Sequence, residues 1–137
     1  MPQRKVSMAT ALSSCIVVAL ANGSVAPRFA SAKITVAEIE QFRLEVEAKA
    51  DVRCKSDTAQ QRICDSASEM TIWVFTQPGH AAHPAVSRGT MIFSQTDRGA
   101  SVAIDRSGHY AGDLKTFDAW MKEFSTLDKR QLEGMSK

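Results

Sequence analysis

The sequence predicts an α+β fold: a small antiparallel sheet of three or four strands packed by an N-terminal and a C-terminal helix. Three observations predict it. Thr71 to Thr76 (TIWVFT) is entirely β-branched or aromatic, the composition of a strand. Residues 85–96 and 100–106 repeat that character on either side of Thr96-Asp97-Arg98-Gly99, a short turn suited to an antiparallel hairpin. Segments with helical spacing flank this strand-rich middle on both sides.

The first helix is expected to start after Thr35. Thr35 and Glu38 have the spacing of a capping box, and Ile34 and Ile39 that of a hydrophobic staple. Val36, Ile39, Phe42, Val46 and Ala50 then fall on one stripe. The same stretch also alternates, because Phe42, Leu44, Val46, Ala48, Ala50 and Val52 are separated by polar residues. Caps and Glu/Ala/Lys/Leu propensity favour helix over strand for residues 36–50. Residues 51–69 are polar and read as a loop or short hairpin, with Arg62-Ile63-Cys64 as a short strand. Asp105-Arg106-Ser107-Gly108 is expected to end the last strand. Asp113 would cap the C-terminal helix, whose apolar stripe is Leu114, Phe117, Trp120, Met121 and Phe124. A second short helix would restart at Ser125 or Thr126. The expected core is Phe42, Trp73, Phe75, Ile92, Phe93, Val102, Ile104, Phe117, Trp120 and Phe124, with the helices covering one face of the sheet.

Residues 1–32 have the character of a cleaved signal peptide. Arg4 and Lys5 precede a mostly apolar run, Met8 to Ala21, and Ala30-Ser31-Ala32 has the small-x-small form of a peptidase site. The run is short and broken by Thr10, Ser13 and Ser14, so no stable membrane span is expected after cleavage. Leu12-Ser13-Ser14-Cys15 is a loose lipobox, but apolar residues continue past the cysteine. Residues 33–137 would then form a single small exported domain, periplasmic or secreted. Its 14 basic and 15 acidic residues, against 17 and 15 before Arg4, Lys5 and Arg28 leave, take the formal charge from +2 to −1. No basic stripe remains to argue for nucleic acid.

Export sets the reading of the cysteines. Cys15 leaves with the leader, and Cys54 and Cys64 form a pair in an oxidising compartment, where a disulfide is the default. Nine intervening residues match neither C-x-x-C nor a zinc ribbon.

The residues able to carry chemistry cluster after the TIWVFT run. His80 and His83 sit in Gln77-Pro78-Gly79-His80-Ala81-Ala82-His83-Pro84, and His109-Tyr110 follow Gly108. The segment Phe75 to Pro84 resembles, through an F-T-x-P-x-H-x-A-H-P pattern, short exported bacterial proteins of uncharacterised function. That resemblance implies export and a small domain, and brings no activity with it. His80, His83, His109 and Tyr110 are the candidate binding residues. Three imidazoles could bind a metal, but no acidic residue adjoins the His-x-x-His pair, so no metal and no cofactor are expected. The bland alternative is that the histidines satisfy polar groups freed by the prolines. A histidine-dependent or metal-dependent hydrolase would need a base and an orienter such as Asp105 or Asp113, yet Ser87, Ser94, Ser101 and Ser107 have no nucleophile-elbow context. No catalytic residue is assigned. The expectation is a non-catalytic binding or interaction protein with an unknown protein or small-molecule partner in the cell envelope. The alternatives are the small hydrolase or a structural subunit of an envelope assembly.

Overall fold

The computed structural model describes residues 30–135. Eight elements follow in order: β1 (Ala30–Lys33), α1 (Val36–Glu47), β2 (Val52–Ser56), β3 (Gln61–Ser66), β4 (Thr71–Thr76), β5 (Ala85–Thr96), β6 (Gly99–Tyr110) and α2 (Leu114–Met135). The strands make one six-stranded sheet in the order β1-β6-β5-β4-β3-β2. β2 to β6 run as an antiparallel meander, and β1 joins its far edge parallel to β6. The expectation of three or four antiparallel strands is therefore corrected to a mixed sheet of six, with the α+β class retained.

The two extra strands have weak local signals. β2 is Val-Arg-Cys-Lys-Ser, and it becomes a strand through its pairing with β3, where Cys54 stands opposite Cys64. A disulfide joins that pair. β1 is Ala-Ser-Ala-Lys, with Ala30 opposite Ser107 and Lys33 opposite Tyr110. The leader boundary drawn before Lys33 thus passes through a strand of the sheet. The rest of the expected leader lies outside the described residues.

Each helix covers its own face, not one shared face. Side chains alternate along a strand, so Trp73 and Phe75 point one way and Val74 the other. Trp73 and Phe75 pack with Val46, Cys64 and Val86, and Phe42 closes over this cluster from α1. Val74, Ala85 and Tyr110 pack with Phe117, Trp120 and Met121 from α2. Burying large side chains of this kind stabilises by roughly 1.5–3 kcal/mol each.

α1 starts as expected. Thr35 Oγ1 accepts from the Glu38 amide at 3.1 Å. Its buried positions are Ile39 and Val46, whereas Val36 is 59 % exposed. α2 is capped by Asp113, which accepts from the Thr116 amide and hydroxyl, and it runs unbroken to Met135 without a restart at Thr126.

Two further expectations are corrected. β6 does not end at Ser107-Gly108 but continues to Tyr110. Gly108 sits under α2, where a Cβ would come within 2.5 Å of the Phe117 ring, so the glycine lets the helix approach the sheet. Ile92 and Phe93, expected in the core, are 46 % and 57 % exposed. β4 reaches only Thr71, opposite Thr90, so no strand or helix among the described residues covers them on that side.

Candidate functional site

β4 ends at Thr76, and the chain returns to β5 through Gln77–Pro84. Two turns fold this return on itself, with His80 N–H donating to Gln77 O and His83 N–H to His80 O. Gln77 N–H donates to Gln60 O, and its side chain donates to Ser56 Oγ, which ties the loop to the β2–β3 hairpin. The His83–Pro84 peptide bond is cis.

The Thr76 hydroxyl organises the loop base. It donates to Ala85 O at 3.1 Å and accepts from Ala85 N–H at 2.8 Å. His83 Nδ1 lies 2.9 Å from the same oxygen. This contact holds the His83 ring against the base of the loop.

His83 borders a cleft of about 300 Å³ between this loop and α1. Ile39 and Phe75 form its floor side, and Val36, Pro78 and Pro84 add apolar wall. Glu40, Arg43 and Arg62 bring charge to it. These charges are largely spent on one another. Arg43 bonds to Glu40 and, at 2.7 Å, to Glu47, and Arg62 bonds to Glu47. The hydrogen bond from Arg43 holds the Glu40 carboxyl below the ordinary carboxylate range, and the field of His83 adds to it.

His80 faces a different element. Its ring meets the edge of Trp120 on α2 with centroids 5.2 Å apart. Its Nδ1 accepts from Ala82 N–H at 3.0 Å, and its Nε2 lies 3.4 Å from the Gln61 side-chain nitrogen. Partial burial lowers the His80 pKa, opposed by the charge of Glu123. His109 lies on the α1 face of β6, with its ring edge-on to Phe42 at 6.2 Å. Tyr110 is 9 % exposed and stacks on Phe117 at 4.8 Å, so it belongs to the core beneath α2.

Of the four residues singled out from sequence, the structure thus gives the cleft His83 alone. The histidines do not share one site. Among the described residues, the one group of three side chains spaced to hold a metal is Glu47, Cys54 and Cys64, and its two sulfurs are bonded to each other. No histidine ring among the described residues is hydrogen-bonded to a carboxylate. Ser87 is buried against Arg106, Ser94 bonds to Ser101, and Asp113 serves as a helix cap. Sequence reasoning missed the α1 side of the cleft: Val36, Glu40 and Arg43. Val36 lies on the apolar stripe of α1, yet it is largely exposed and borders the cleft.

Among the described residues, no helix is long and apolar enough to cross a membrane. The disulfide is consistent with an oxidising, extracytoplasmic compartment. No family model, no curated protein and no solved structure matches the chain.

Proposed function

We propose that this chain is a small exported domain, periplasmic or secreted, that binds a partner without catalysis through the cleft between α1 and the Thr76–Pro84 loop. The observation that carries this reading is the make-up of the cleft. Its walls are apolar (Val36, Ile39, Phe75, Pro78, Pro84), and its arginines and carboxylates neutralise each other. A wall of this kind rewards apolar ligand surface, while the His83 ring offers one directed polar group at the rim. The chemistry fits a small apolar group, such as one side chain of an envelope protein, better than a free anion, because both arginines already have carboxylate partners.

Capture of partners from a periplasmic extract tests it. Val36 and His83 are exposed, so Val36→Arg and His83→Ala should fold normally while obstructing or stripping the cleft. The wild type is expected to retain a partner that both variants lose. Identical captured sets from all three proteins would remove the cleft from consideration.

A further inference from the structure

β5 and β6 are twelve residues each, but their outer neighbours are short. β4 pairs with β5 only up to Thr90, and β1 pairs with β6 only from Ser107 onward. The remainder, Met91–Thr96 with Gly99–Arg106, is a two-stranded arm whose outer edges have no strand partner among the described residues. Phe93 projects to the same side as Met91, Val102 and Ile104, and it is more than half exposed.

Free edges of this kind are normally guarded by charge, proline or a bulge. Met91-Ile92-Phe93-Ser94-Gln95-Thr96 carries no charge and no proline. The arm's charges lie in its turn, Asp97 and Arg98, and on β6 at its base, Asp105 and Arg106, away from this β5 edge. Neutrality is the condition for self-pairing about a two-fold axis, since that symmetry sets each side chain near its own image and like charges there repel. Strand parity agrees. Met91 N–H points outward to Met70 O, so the main-chain groups of Phe93, two residues on, also point outward.

We propose that two copies of this chain associate through the arm, β5 edge against β5 edge, antiparallel about a two-fold axis at Phe93. Each Phe93 N–H then donates to the Phe93 carbonyl of the other copy, and the two rings lie side by side. Pairing is confined to residues 92–94 of each copy, because the edge at Met91 is already taken by Met70 O. This inference is independent of the cleft, which lies at the opposite end of β4.

Sedimentation velocity over a range of concentrations tests it on the exported protein. The wild type should sediment at twice the chain mass. Phe93→Asp and Phe93→Lys should each sediment as single chains, and an equal mixture of the two should regain the doubled mass. A wild type that stays single at every concentration overturns the proposal, as does a dimer that Phe93→Asp leaves intact. Amide exchange of the wild type checks the same contact without substitution. The Phe93 amide should slow as concentration rises, and exchange that ignores concentration overturns the arm as the interface.

Discussion

Arg106 on β6 and Asp128 on α2 form a two-pronged ion pair, Nε to Oδ2 at 3.0 Å and Nη2 to Oδ1 at 2.5 Å, with side chains only 11 % and 14 % exposed. Arg106 also donates to Ser87 Oγ at 3.1 Å and lies 4.7 Å over the Phe124 ring. The position depends on Gly89, the cross-strand neighbour. A Cβ there would lie 2.6 Å from Nη2 of the guanidinium. The pair fastens the second half of α2 to the sheet. Asp128→Ala leaves a poorly hydrated guanidinium without its partner, and should cost about 3 kcal/mol in urea denaturation. Replacing both residues by apolar ones, Arg106→Met with Asp128→Leu, should recover most of that loss, since the desolvation cost leaves with the charges. Equal losses in the single and double variants would show that the pair itself does not hold α2.

The disulfide closes the hairpin that forms the other edge of the sheet. Cys54 and Cys64 are ten residues apart in sequence. Constraining a loop of that length in the unfolded chain is worth roughly 2–3 kcal/mol in the chain-entropy model. Cys54→Ala with Cys64→Ala should lower stability by about that amount. Proton exchange should also accelerate across β2 more than across β5, because among the described residues β2 has one strand neighbour and β5 has two. Uniform acceleration would mean that the bond acts on the whole fold and not on this edge.

What could be read from the sequence follows from where each signal is stored. β4 and β5 carry their own β-branched and aromatic residues, and their bounds match the runs seen in the sequence. α1 was legible through Thr35 and Glu38, a bond made within one turn. β1 and β2 were not, because Ala-Ser-Ala-Lys and Val-Arg-Cys-Lys-Ser become strands only by pairing with β6 and β3. Phe93 misled in the opposite way: an aromatic residue reads as core unless the shortness of the neighbouring strands is known. The cleft was half visible. Its loop announces itself through Pro78, His83 and Pro84, whereas Val36, Glu40 and Arg43 join it only once α1 is laid over Phe75.

His80 should make stability depend on pH. Burial against Trp120 lowers its pKa from the ordinary 6.5. Protonating Nδ1 would also break the bond from Ala82 N–H. The sign follows from linkage: below pH 6.5 the unfolded chain takes up a proton that the folded chain resists, so folding stability falls as the solution is acidified. Above that pH both states are neutral and the contribution vanishes. His80→Asn keeps an acceptor for the Ala82 amide and removes the titration. Its melting temperature should fall less steeply than the wild type's on acidification below 6.5. Parallel curves would assign the acid sensitivity to other groups.

The sheet also constrains where an exported form of the chain would begin. Ala30 to Lys33 fill four successive positions beside Ser107 to Tyr110, and Ile34 N–H donates to Tyr110 O at 2.9 Å. A cut after Ala32 would remove three of those four residues and leave the outer edge of β6 unpaired from Ser107 to His109. Losing two or three net hydrogen bonds there costs about 1–3 kcal/mol. Ala19-Leu20-Ala21, at the end of the apolar run, has the same small-x-small form and would spare the strand. N-terminal sequencing of the exported protein should therefore find a first residue at or before Ala30. A chain made to start at Lys33 should unfold at lower urea than one starting at Ala30. An exported chain beginning at Lys33, as stable as the longer form, would mean that β1 adds nothing to the mature sheet.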